Sequence, residues 1–206
     1  MPAPPPLQLL LATRRSSPSP SSAQALSLYF FFSPFFEVVS QTAQSFLPSY
    51  AAPPASGAEP AEWRDKSDQL ARRLLRYALG IAAVAAVLAA AIAAVGTGLI
   101  TNDAAVRLAV RPLALPLGIS VLMAGFIGAS EGVLLARRSI PFLASVYLTT
   151  VVMLPPALLS VKTRGGPVVL VWACFAAFQT FRATLFTARI WGPRFGGRWS
   201  PEDRAA

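Results

Sequence analysis

The chain has 206 residues, 54% of them hydrophobic and 13% charged, with a mean hydropathy of +0.54. A soluble domain carries about 25% charged residues, so an ordinary hydrated surface is excluded. There is no histidine, and Cys174 is the only cysteine. Together these exclude a Ser-His-Asp triad, a Cys-His nucleophile pair, a His-ligated zinc and an intrachain disulfide. No Walker A loop, GxGxxG or HExxH is present, so no nucleotide-driven or zinc-protease chemistry is expected. The expectation is a non-enzyme with no catalytic residues, no cofactor and no metal site. The net charge of +9 reads as topology-setting charge around apolar spans, with no need for a nucleic-acid partner.

Residues 1–22 are rich in Pro and Ser, carry Arg14 and Arg15, and hold no acid. This is the composition of an organellar transit segment or of a disordered leader. Residues 25–48 read as a helix. The aromatic run through Phe36 is too short to cross hydrocarbon alone, but helical continuation to Pro48 gives the roughly 20 residues that crossing requires. Residues 49–64 form a linker in which Pro53, Pro54, Gly57 and Pro60 interrupt any helix.

Residues 65–191 then read as a bundle of four transmembrane helices, with spans at about 77–100, 110–135, 140–161 and 167–190. In the first span, Ile81, Val84, Leu88, Ile92, Val95 and Leu99 recur at helical spacing and form a face for lipid. Ala82, Ala86, Ala89, Ala93 and Gly96 form a second face, on which another helix can approach closely. Asp103 reads as a helix cap, and Pro155-Pro156 as a kink in the third span. Residues 192–206 are a polar tail. The fold class is therefore all-α and polytopic, with four transmembrane helices and a fifth expected in 25–48.

Basic residues are unevenly distributed. Ten flank the spans on the side of residues 64–76, 137–138 and the tail, against Arg107, Arg111, Lys162 and Arg164 on the other, joined by Arg14 and Arg15 if 25–48 spans. This asymmetry places the C-terminus on the cytosol-like side of the bilayer.

Three groups of polar residues are candidates for a solute or ion path. Glu131 is the only acid inside the four spans. Intramembrane carboxylates carry protons or cations; the alternative is an interfacial Glu131 paired with Arg137 or Arg138. Gln179 and Arg182, three apart on one helical face, form either a polar patch on a path or an interfacial contact. Glu37, Gln41 and Gln44 form the third group, either path-lining or surface positions at a helix end.

Several of these residues stand in runs that resemble one family. Ser40-Gln41-Thr42-Ala43-Gln44-Ser45-Phe46-Leu47-Pro48 resembles the Ser-Gln-Thr-Ala-Gln-Ser-Phe-x-Pro run of the multidrug and toxic compound extrusion (MATE, or DETOXIFICATION) transporters, in their plastid-type plant branch. Thr101-Asn102-Asp103-Ala-Ala-Val106, Glu131-Gly132-Val133-Leu134-Leu135-Ala136 and Phe178-Gln179-Thr180-Phe181-Arg182 resemble three later runs of the same family, in the same order. The resemblance implies the end of helix eight and then helices nine to twelve of a twelve-helix, two-lobed antiporter working by alternating access. It implies secondary, proton- or cation-coupled export of organic solutes or xenobiotics. The implied partners are the lipid bilayer, a small organic solute and a coupling cation, and the implied membrane is the chloroplast envelope.

The chain departs from the family pattern at Arg137-Arg138-Ser139-Ile140-Pro141, and around Ala124, where many relatives carry an acid. The family's coupling acid has no counterpart there, which leaves Glu131 as the substitute. The expectation is a truncated chain holding most of one lobe, unable to transport alone. The alternatives are a small helical membrane protein with an assembly or regulatory role, pairing through the Ala82/Ala86/Ala93 face with another copy or a full-length relative, or a non-functional truncated product.

Overall fold

A computed structural model describes residues 20–50 and 60–191. The expected tail of 192–206, residues 1–19 of the leader and the centre of the linker lie outside the described residues. Those described form six α-helices: α1 (Pro20–Phe46), α2 (Pro60–Ala94), α3 (Ala104–Val110), α4 (Ala114–Ala136), α5 (Ile140–Thr163) and α6 (Val168–Trp191). Short 3-10 turns follow α1, α2 and α3, and no strand occurs among the described residues. Four stretches are long and apolar enough to cross a membrane: Asp65–Ala94, Ala104–Ala136, Ile140–Thr163 and Val168–Trp191. The protein is an all-α polytopic membrane protein.

Two boundaries differ from the expected ones, and one expected span is not among the four. Pro20, Ser21 and Ser22, expected in the leader, belong to α1. Pro60 opens α2 instead of interrupting it, because proline at the first helical position gives up only an N–H that the helix does not use. The 27-residue α1 is long enough to span but is not among the four apolar stretches, because Ser, Gln and Glu37 are interspersed among its phenylalanines. Its helix also runs through Pro34, whose ring removes the N–H that would have bonded the Phe30 carbonyl. The Ser33 hydroxyl donates to that carbonyl at 3.0 Å.

At the centre lies α4, which packs most extensively against α2, then α1, then α6. Small residues make this possible. A Cβ on Gly125 would stand 2.5 Å from the Ala82 Cβ and 2.8 Å from the Phe36 ring, and one on Gly132 would stand 2.5 Å from the Ser40 carbonyl oxygen. Such close backbone approach supplies the dispersion contact that drives helix association in lipid. The two faces expected on α2 are observed: Ala82, Ala86, Ala89 and Ala93 are buried, while Ile81, Val84, Leu88 and Val95 are exposed. The alanine face expected to receive another chain is filled by α4 of the same chain. That removes it as a docking face for a second copy.

Helix α5 is peripheral, packs mainly on α6, and continues through Pro155 and Pro156. The turns on either side of it share one geometry. After α4, Ser139 N–H donates to Leu134 O and Arg138 N–H to Leu135 O; after α5, Gly166 N–H donates to Val161 O and Gly165 N–H to Lys162 O. Both are Schellman closures, which need a left-handed residue. Gly165 (φ 67°) supplies it in one turn and Arg138 (φ 52°) in the other. Asp103 caps α3 as expected, accepting from the N–H groups of Ala105 at 2.8 Å and Val106 at 3.4 Å.

Buried apolar residues fall into two groups along the bundle. One includes Ala43, Ala71, Leu75, Val133, Phe186 and Ile190, and the other Ala25, Ala89, Ala93, Val110, Leu117 and Trp172. The first lies toward the arginine-rich helix ends. There the Arg137 guanidinium donates to Asp68 at 2.5 Å, and those of Arg72 and Arg137 stand over the Trp191 ring at 4.9 and 6.0 Å. The start of α2, the end of α4 and the end of α6 thus meet at one end, the same ends that the uneven basic charge groups on one side.

Candidate functional site

A connected polar cluster crosses the bundle on side chains from four helices. Glu131 (α4) accepts at Oε1 from the Tyr147 hydroxyl (α5) at 2.5 Å and from Arg182 Nη2 (α6) at 2.8 Å. Arg182 Nη1 donates to Gln179 Oε1, one turn back on α6, at 3.2 Å. The Gln179 amide then donates to the Tyr29 hydroxyl (α1) at 3.1 Å. The three-residue spacing of Gln179 and Arg182 lets one helix address both α4 and α1. Along α6 the two residues fall between Trp172, in one apolar group, and Phe186, in the other.

The environment is apolar on most sides. Arg182 lies 5.0 Å from the Tyr147 ring and 5.8 Å from that of Phe186, close enough for cation–π attraction. Tyr29 packs edge-on against Phe175 and Trp172 at centroid distances of 5.5 and 6.3 Å, which covers the Gln179 end. Gln179 is buried, and the Arg182 side chain is 13% exposed. Among the described residues the buried Arg182 Nε has no hydrogen-bond partner.

Glu131 does not pair with Arg137 or Arg138, as the interfacial alternative expected. Arg137 is held by Asp68 instead. Six residues of α-helix turn through about 600°, which leaves positions 131 and 137 about 120° apart around the axis. They therefore address different neighbours. Gln179 and Arg182 do come together with Glu131. The remaining candidates do not join the cluster: Glu37 and Gln41 bond to each other at 3.3 Å on the exposed face of α1, and Gln44 donates to Ser40 Oγ at 3.3 Å. Tyr29 and Tyr147 were not expected. Their only sequence signal is a hydroxyl inside an apolar segment, which calls for a polar partner. The Gln24 amide of α1 was also missed; its buried nitrogen and oxygen have no partner among the described residues.

Chemically, the cluster joins a carboxylate, a guanidinium and two phenols inside a membrane bundle. Oε1 of Glu131 holds two donors at once, so the carboxylate and guanidinium are coupled: protonating Glu131 removes the charge that retains Arg182. A freed guanidinium is a donor fork for a carboxylate or similar anion. Among the described residues no group of three or more His, Cys, Asp or Glu could hold a metal.

A smaller cavity of about 330 Å³ lies at the junction of α2 and α3, lined in part by Thr97, Gly98, Arg107 and Arg111. Arg111 Nε donates to the Ala94 carbonyl there at 3.1 Å, which closes the end of α2. No family model matches the chain, and no curated protein or solved structure matches it.

Proposed function

We propose that this chain forms part of a secondary transporter of the multidrug and toxic compound extrusion type, and that the Glu131–Arg182 cluster is its site for coupling ion and solute. The observation that carries the reading is the position of the cluster: an acid and a base from two apolar spans, hydrogen-bonded to each other, with the acid bonded to the Tyr147 phenol and the base linked through Gln179 to that of Tyr29. Ionisable groups are expensive at that depth and mark ion or substrate paths. A second support comes from the sequence. Glu131 opens one of the runs that carry the family resemblance, and Gln179 and Arg182 belong to another.

In this reading a proton reaching Glu131 releases Arg182, and the guanidinium then engages an organic anion from the opposite compartment. Return of Glu131 to the carboxylate displaces the anion and restores the ion pair. The work is proton-for-solute exchange driven by a gradient, and the membrane is the plastid envelope, on the strength of the transit-like leader and the branch of the family that the runs resemble.

The test is transport by the complete gene product in proteoliposomes with an imposed pH gradient, using organic anions and organic cations as separate probes. The expected result is gradient-dependent flux of at least one probe class. Absence of such flux for both classes would overturn the proposal.

A further inference from the structure

Between α1 and α2 runs an open trough of about 520 Å³, lined by Phe32 and Phe35 from α1 and by Arg76, Tyr77, Gly80, Ile81, Val84, Ala85 and Leu88 from α2. All but Arg76 and Tyr77 are wholly apolar. Gly80 forms part of its floor, and a Cβ built there meets nothing within 4 Å. We propose that this trough holds one acyl chain of an anionic phospholipid, with the lipid phosphate on Arg76.

Three observations name the occupant. The first is length. From Arg76 to Leu88 the helix rises about 18 Å, and one leaflet of the hydrocarbon core is about 15 Å deep, half of the whole. The trough therefore runs from the interface to the bilayer midplane, the course of a single acyl chain. The second is charge. Arg76 is the last cation of the Arg72-Arg73-Arg76 run before α2 becomes apolar, and it has no hydrogen-bond, ion-pair or ring partner among the described residues. A guanidinium at the head of an apolar trough complements a phosphate joined to a hydrocarbon tail, and basic pockets between transmembrane helices on this side recognise anionic head groups. The third is the exposed Tyr77 beside it, an aromatic at head-group level, where amphipathic rings settle. A helix from a second chain fits less well, because an Arg at one end and a vacant glycine floor suit a thin flexible chain.

The experiment reconstitutes the protein in phosphatidylcholine vesicles containing a trace of phosphatidylglycerol with a photoactivatable group midway along one acyl chain. Labelled peptides are mapped after irradiation. Labelling should concentrate on residues 76–88, above that on the exposed α5 stretch 147–153. Gly80→Trp, which fills vacant space, should remove the excess while leaving α5 labelling unchanged. Arg76→Gln should reduce it about fivefold, the factor that one basic side chain near an anionic surface is worth, and should leave labelling by a phosphatidylcholine probe unaltered. Labelling of 76–88 no stronger than that of α5, or an excess that survives Gly80→Trp, would overturn the assignment. So would a crosslink from this segment to a second protein chain.

Discussion

Arg137 with Asp68 and Arg182 with Glu131 are both arginine–carboxylate contacts between helices, at 2.5 and 2.8 Å, but they occupy different media. The first joins Arg137, 6% exposed, to Asp68, which is 41% exposed and open to water at the arginine-rich end; in the second both partners are shielded, with Glu131 21% and Arg182 13% exposed. At the end of the bundle, solvent can absorb the loss of a partner for Asp68 but not for Arg137. Inside it, loss of a partner leaves a charge facing hydrocarbon and aromatic rings. The same chemistry is therefore hydrated on one side in the first place and shielded on both sides in the second.

The largest expected effect follows from breaking the inner pair on one side only. Arg182→Met leaves Glu131 without its counter-charge and should destabilise the bundle by about 3 kcal/mol, read as denaturant unfolding in detergent micelles. The double variant with Glu131→Gln should recover most of that loss. An equal loss in the single and double variants would show that packing, not charge, holds the site.

Next comes a substitution that touches neither pair. Gly132→Ala places a Cβ 2.5 Å from the Ser40 carbonyl oxygen, so α1 must move off α4. The expected loss is about 2 kcal/mol, read by the same unfolding, with both ion pairs still formed.

The outer pair should give less. Asp68→Asn keeps an acceptor for the buried Arg137 but removes its counter-charge, and is expected to cost about 1.5 kcal/mol, a difference that shrinks as salt screens the exposed carboxylate. The coupling between Glu131 and Arg182, measured by a double-mutant cycle, should be insensitive to salt. Comparable salt dependence for both pairs would erase the distinction between them.

The smallest effect is expected at the turn beside the outer pair. Arg138 holds a left-handed conformation (φ 52°) that Gly165 takes in the matching turn. Arg138→Gly should stabilise by about 0.5 kcal/mol, the relief of left-handed strain less the extra freedom of the unfolded chain.

Much of the architecture was legible in the sequence. The four spans, the division of α2 into a branched face and an alanine face, and the Asp103 cap all follow from periodicity and side-chain chemistry within one helix. The alanine face shows where that reasoning stops. Spacing says that some helix approaches Ala82 and Ala86, but only three-dimensional packing says that it is α4, through Gly118 and Gly125. Glu131 shows the same limit. Arg137 is near in sequence but around the helix from it, whereas Arg182 is 51 residues away and in contact. A charge balance over the spans offered the better signal: Glu131 is the one acid inside the four spans expected from the sequence, and Arg182 is a base well inside another. Tyr29 lay beyond this reasoning because its role depends on how α1 lies across α6.

The most direct measurement of the central claim compares gradient-driven flux through the complete gene product in three forms: wild type, Glu131→Gln and Asp68→Asn. Glu131→Gln should abolish dependence on the pH gradient, and Asp68→Asn should leave it in place. Flux that responds to the gradient equally in Glu131→Gln and wild type would contradict the assignment of the inner pair as the coupling site.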